Sequence, residues 1–176
     1  MRQGRHYLYL DRSGNLSGVL LGIPEGAKGV RATLRLMAAL ARRYRSDLKI
    51  RETAADLVQH LPQKAWGAQI RALHAFVRDG IRYLKDPNGV ELVQTPLVTL
   101  EVRHGDCDDK SVLLATLLES IDHPARYVAV GFEPGRFSHV YVETKLGARW
   151  HALETTADMP AGFAPLRAVT RMIETI

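Results

Sequence analysis

One cysteine, Cys107, stands in a chain of 176 residues, so no internal disulfide framework can form and a reducing compartment suits the protein. Long apolar runs are missing too: nothing reaches the ~18 residues that a membrane-spanning helix needs. The opening residues, MRQGRHYLYLDRSGN, lack the apolar segment of a secretory signal peptide. No zinc-finger spacing, Walker loop, dinucleotide fingerprint or aromatic-rich RNA motif is present, and there is no internal repeat, low-complexity tract or linker. These absences lead to the expectation of a cytoplasmic protein without a membrane partner. What is there is ordinary in bulk: 46% hydrophobic and 24% charged residues, enough for one domain with a real core.

Acidic charge is scarce in the first third. Residues 1–51 hold eleven Lys/Arg against three Asp/Glu, whereas residues 52–176 hold thirteen against sixteen. A basic segment can serve nucleic acid or an acidic partner, or it can be the solvated face of a helix. The stretch ATLRLMAALARRYR favours the second. Leu34, Met37, Ala41 and Tyr44 recur at helical spacing, and Arg31, Arg35, Arg42, Arg43 and Arg45 fall mostly elsewhere on the wheel. Nucleic acid is therefore not expected as a partner.

Periodicity predicts a helix-then-strand order. Residues 1–25 read as an irregular opening, with YLYL a short strand and DRSGN and GIPEG supplying turns. Helices follow over 27–45, over 51–60 before Leu61-Pro62, and over 66–84, where Ile70, Leu73, Val77, Ile81 and Leu84 form one stripe that KDPNG ends. GVELVQTPLVTLEVRHGD reads as polar to extended. DDKSVLLATLLESI is apolar on most of its circumference, hence a buried helix. ARYVAVGF, RFSHVYVE and ARWHALE alternate as strands, separated by EPG and KLGA. The class expected is α+β.

Three residues then invite chemistry. Cys107 follows a Gly-Asp turn at the head of the buried helix, where free N–H groups and the helix dipole favour a thiolate and could hold an oxyanion. Asp106, Asp108 and Asp109 oppose this by like charge, and a free cysteine can equally be a small buried hydrophobe. His139 lies on the strand FSHVYVE, on the face opposite Val140 and Val142. If Leu146-Gly147 forms the hairpin tip, His139 opposes Glu154, with Cβ atoms about 4.5–5.5 Å apart; a three-residue tip would put them on opposite faces. Nucleophile, base and orienting acid would be Cys107, His139 and Glu154.

The order RHGDCDDKSVLLATLLESIDHPARYVAVGF, SHVYVE, WHALETT resembles the transglutaminase-like cysteine enzymes, particularly small bacterial and prophage-associated members, most strongly over 70–156. The resemblance implies a papain-like α+β core, with N-terminal helices and the nucleophile on a central helix packed against an antiparallel sheet. It implies acyl chemistry through a thioester on protein or peptide amides, with hydrolysis ahead of transfer to an amine because water is always present. Cys107 matches the nucleophile, His139 the base and Glu154 the acid, where aspartate is the commoner choice. Besides the Cys107 backbone N–H, Gln94 and Tyr83 are oxyanion candidates. Asp106, Asp108 and Asp109 admit calcium, which some related bacterial proteases use near the nucleophile, although they form no EF-hand loop; such clusters also cap helices. No other cofactor is expected, and zinc fits poorly with only His104 near Cys107.

The expected organisation is a single domain over 1–176: a basic helical part over 1–65, a catalytic core over 66–156 and a C-terminal extension over 157–176. Phage structural proteins are candidate partners, with location in a phage particle the alternative to the cytoplasm. The competing function is a non-catalytic assembly module whose basic third docks an acidic partner or DNA.

Overall fold

Helix α5, Cys107–Ser120, carries no polar face: every residue from Asp108 to Leu118 is buried. A helix apolar nearly all round needs neighbours on all sides, and it has them. Helices α1 (Ala27–Tyr44), α2 (Leu48–Val58), α3 (Trp66–Gly80) and α4 (Pro96–Val102) pack against it, as do strands β6 (Ala125–Gly131) and β7 (His139–Leu146). The computed structural model describes residues 6–10, 16–21, 26–86, 92–165 and 167–176. The DRSGN turn, most of GIPEG and part of KDPNG lie outside the described residues. Among the described residues no helix is long and apolar enough to cross a membrane.

β6 and β7 form a four-stranded antiparallel sheet with β8 (Arg149–Leu153) and β9 (Thr170–Thr175), in the order β8-β7-β6-β9. Alternation puts Val140 and Val142 in the main core with α5, while Tyr141 joins Val128, Val130 and Ala152 in a smaller cluster. β1 (His6–Leu10), β2 (Leu16–Leu21) and β4 (Leu92–Gln94) make a second sheet, and β3 (Arg82–Tyr83) runs parallel to β5 (His104–Gly105). The fold is thus α+β. The five arginines of the basic helix, Arg31, Arg35, Arg42, Arg43 and Arg45, are all exposed, as a solvated face requires; Arg45 reaches Glu119 at 3.3 Å.

Several boundaries differ from the sequence reading. α2 starts at Leu48 rather than residue 51, because Asp47 caps it by accepting the Lys49 and Ile50 N–H groups. α3 stops at Gly80 rather than residue 84: Ile81 is extended and buried, and Arg82–Tyr83 pair with β5, leaving Leu84 48% exposed. α4 lies inside the stretch read as extended; Thr95 caps it and Pro96 occupies its first turn. β2 lies in the irregular opening, and β9, in the C-terminal extension, hydrogen-bonds to β6 from Arg126↔Thr175 to Gly131↔Thr170.

The β7–β8 hairpin turns through Gly147-Ala148, since Leu146 pairs with Arg149. Gly147 has φ 61, at the first tip position, where a two-residue II′ turn calls for glycine. The expected tip, Leu146-Gly147, was one residue early. Continuing the observed register would set Glu154 opposite Tyr141, so His139 and Glu154 share a face on a diagonal instead of directly opposing.

Candidate active site

The head of α5 is fixed by a capping box. The Asp106 carboxylate accepts the Asp108 and Asp109 N–H groups at 2.9 and 3.3 Å, and Asp109 in return accepts the Asp106 N–H at 3.2 Å. Two of the donors expected to face Cys107 are thereby taken. The Cys107 N–H itself opens the helix and is a donor that no intrahelical carbonyl can satisfy. Asp109 also accepts the Gln94 N–H at 2.7 Å, tying β4 to the helix that Cys107 opens. Burial, then the nearby Asp106 charge, push this carboxyl up to about 7. Gly105 makes room for it: a Cβ there would lie 2.5 Å from the Asp109 Cβ.

The Cys107 thiol is half-buried and donates to Asp108 Oδ1 at 3.5 Å. Burial pushes it well above its ordinary value, and the charges of Asp108 and Asp106 add to this; a hydrogen bond from the Val140 backbone works the other way. The thiolate is disfavoured in this geometry. That bond places the sulfur beside the residue that follows His139, yet among the described residues thiol and imidazole do not hydrogen-bond to each other.

The other two candidates are joined directly. His139 Nε2 lies 2.6 Å from Glu154 Oε2. A carboxylate acceptor puts the proton on Nε2, leaving Nδ1 of the neutral ring to take one. Oε1 of Glu154 accepts the Thr156 N–H and hydroxyl, both at 2.7 Å. Burial alone would raise this carboxyl, but the His139 and Thr156 bonds outweigh it and hold it below the ordinary range. Buried His74 donates from Nε2 to the Glu154 carbonyl at 2.6 Å, and burial lowers its pKa. Glutamate's extra methylene suits the diagonal, where Cβ atoms stand farther apart than in a direct pair.

Gln94 ends β4 with its side-chain oxygen accepting from the Thr99 hydroxyl at 3.3 Å, which leaves its NH₂ to donate. Tyr83 is partly exposed on β3. Burial raises its phenol pKa, and the charges of Asp106 and Asp108 add to the rise; its pairing with Gly105 sets it near the helix head. Ligand atoms of Asp106, Cys107 and Asp108 lie within 4.8 Å of one another. The two carboxylates suit a hard cation such as calcium, whereas the thiol does not. Asp109, the third acid of the cluster, is already engaged by two backbone N–H groups.

His74 and Thr156 escaped the sequence reading. His74 sits beside Leu73 and Val77 on the buried stripe of α3, an apolar-face histidine whose partner is 80 residues away. Thr156 is the second threonine of the ETT that follows the last strand, where a carboxylate can bond the N–H two residues on.

Residues 51–155 match the model of the Transglutaminase-like superfamily. No curated protein matches the sequence. Among solved structures, a candidate protease from Parabacteroides distasonis superposes with a TM-score of 0.53 at 13% identity, over 73% of this chain and 27% of that one. This chain therefore spans about a quarter of that protein's length. A candidate cysteine protease from Cytophaga hutchinsonii gives 0.52 at 14% identity over 99% and 72%. Calcium-bound LapG of Legionella pneumophila gives 0.50 at 17% over 72% and 75%. At these identities the likeness is one of fold, and it agrees with the helix-led, antiparallel core described above. The match covers more than half of the sequence, and the chain belongs to the transglutaminase-like superfamily.

Proposed function

We propose that the protein is a cysteine-nucleophile hydrolase or acyltransferase that acts on protein or peptide amides through a thioester. The observation that carries this reading is the 2.6 Å bond between His139 and a buried Glu154, beside a helix that opens at Cys107. In the proposed reaction the thiol turns from Asp108 and gives its proton to His139 Nδ1 as sulfur attacks the amide carbon. The Cys107 N–H and the Gln94 NH₂ would stabilise the oxyanion. Collapse passes the proton from His139 to the leaving amine and leaves a thioester. Water, deprotonated by the same nitrogen, then releases the acid, or an amine takes its place. Glu154 fixes the tautomer and stabilises the imidazolium.

Calcium enters as an optional part of the proposal, held by Asp106 and Asp108, where its charge would offset the two carboxylates that add to the effect of burial on the thiol. The calcium-bound LapG structure supports considering it. Phage proteins are candidate substrates by resemblance alone. The assembly-module reading draws on the exposed arginine face of α1; it predicts that Cys107→Ala leaves function intact.

The test is the rate of Cys107 alkylation by iodoacetamide across pH in wild type, His139→Ala and Glu154→Ala. A working pair gives a wild-type rate at neutral pH about tenfold above His139→Ala, with Glu154→Ala between them. One shared profile in all three, rising only in the alkaline range, overturns the enzyme reading.

A further inference from the structure

A cleft of about 370 Å³ opens between the end of α3, β3 and the segment after Glu154, a size that suits a small ligand or a side chain with its backbone. It adjoins the proposed catalytic group at two points. Tyr83, on its wall, pairs with Gly105, two residues before Cys107. Thr156, also on its wall, holds Glu154 Oε1.

The charges around this cleft are only partly balanced. Arg78 is committed to Asp79 at 2.7 Å and to the Met159 carbonyl at 3.1 Å, with Asp158 at 3.8 Å. Arg82, Arg103 and Lys110 remain, and among the described residues no carboxylate pairs with any of them. Arg103 is positioned: its guanidinium lies 5.0 Å over the Phe76 ring and beside Gly80. Its carbonyl accepts the Arg82 N–H at 2.9 Å, so the two residues are backbone neighbours and both line the cleft.

Lys110 is the decisive group. It is 2% exposed, on the turn of α5 after Cys107, and its Nζ donates to the carbonyls of Ile81 and Arg78 at 2.7 and 3.2 Å. An ammonium has three N–H donors, and two are used. Its direct partners are carbonyls, with the Glu154 and Asp79 carboxylates acting from farther off, and a cation buried on such partners is costly. An anion in the cleft would relieve that cost.

We propose that this cleft is a substrate subsite for a carboxylate, received by Arg82 and Arg103 at the mouth and by the buried Lys110 within. The assignment rests on the reading of Cys107 as nucleophile of a peptide-processing site. Guanidinium forks match a carboxylate in shape as well as charge. The Asp106–Asp108 cluster at the nucleophile repels the same group. A basic end and an acidic end therefore orient a peptide, with its carboxylate away from the sulfur and its amide over it. The carboxylate comes from an acidic side chain or from a chain terminus.

The test uses the full chain carrying Cys107→Ala, which binds without turnover. Three probes are titrated at low ionic strength while the amide shifts of Gly80–Tyr83 and Thr155–Ala157 are followed by nuclear magnetic resonance. They are acetyl-Ala-Ala-Glu-Ala-Ala-amide, its Gln counterpart, and the Gln peptide with a free carboxyl end. The Glu probe or the free-end probe is expected to bind about tenfold more tightly than the neutral one, and which of them gains identifies the source of the carboxylate. The gain is expected to vanish in Arg82→Gln/Arg103→Gln. Equal binding of all three probes, or a gain that survives the double substitution, overturns the subsite. Alkylation of Cys107 in the protein with the cysteine and both arginines intact separates the two readings: a normal His139-dependent rate, where the probes show no carboxylate preference, sinks the subsite alone. Carboxylate preference with a His139-independent rate sinks the catalytic reading alone.

Discussion

Glu154 and Cys107 are prepared in opposite ways. Both oxygens of Glu154 are met by donors, from His139 and from Thr156, and its carbonyl is held by His74. Its charge is welcome there. Cys107 has carboxylates on either side in sequence, its thiol points at one of them, and its anion is disfavoured. The His139–Glu154 pair is preset while the thiol is held back. Sulfur held as a thiol resists oxidation and alkylation, so under the proposed reaction its reactivity waits on transfer of a proton to His139.

The largest break in that contrast is Cys107→Ala. Turnover of an amide substrate is expected to fall by about 10⁴-fold or more, with the circular dichroism spectrum unchanged. An active Cys107→Ala protein would assign the chemistry elsewhere. Glu154→Gln attacks the prepared half. The tautomer and the imidazolium lose their anchor, and kcat is expected to drop about a hundredfold with little change in KM; a change confined to KM would contradict the orienting role.

Asp108→Asn should work in the other direction. Removing one of the two charges that hold the thiol up is expected to speed its alkylation at neutral pH by about threefold to tenfold, measured with iodoacetamide. An unchanged rate would mean that burial alone keeps the thiol neutral. Calcium, if Asp106 and Asp108 bind it, should mimic this gain in wild type and have no effect in Asp108→Asn; a flat response in wild type removes calcium from the proposal.

The smallest effect concerns acid stability. Glu154 has a folded pKa below its unfolded value of about 4.3. Its contribution is therefore present above that value and is lost as pH falls through the folded one. Glu154→Gln should flatten the acid limb of stability against pH, read from urea midpoints. Asp109 acts with the opposite sign: its folded pKa, about 7, lies above the unfolded value. The stabilisation it gives when protonated declines as pH rises between about 4 and 7.

The residues of this contrast were legible to different depths. The order Cys107, His139, Glu154 and the shared face of the last two follow from motif and strand parity. Moving the tip by one residue changes the partner by two and so preserves the face. The diagonal did not follow, because it depends on which residue takes the left-handed position, and Gly147 takes it. The neutral thiol was half visible: the like charges stand in the sequence, while the thiol's turn toward Asp108 is a matter of packing. α4 was hidden by length, since seven residues hardly develop a period, although Thr95-Pro96 spells out a helix start. β9 was hidden by distance along the chain. Its partner β6 lies some 40 residues earlier, and nothing local in an edge strand names its neighbour.

Gly105 and Asp109 contend for one volume. The backbone leading into Cys107 gives up a side chain so that a carboxylate can stand there and clasp both Gln94 and Asp106. Anyone grafting the helix that Cys107 opens onto another scaffold would have to carry positions 94, 105, 106 and 109 as a single part. A transplant that moved only the cysteine and its partners on the sheet would arrive without the joint that aims them.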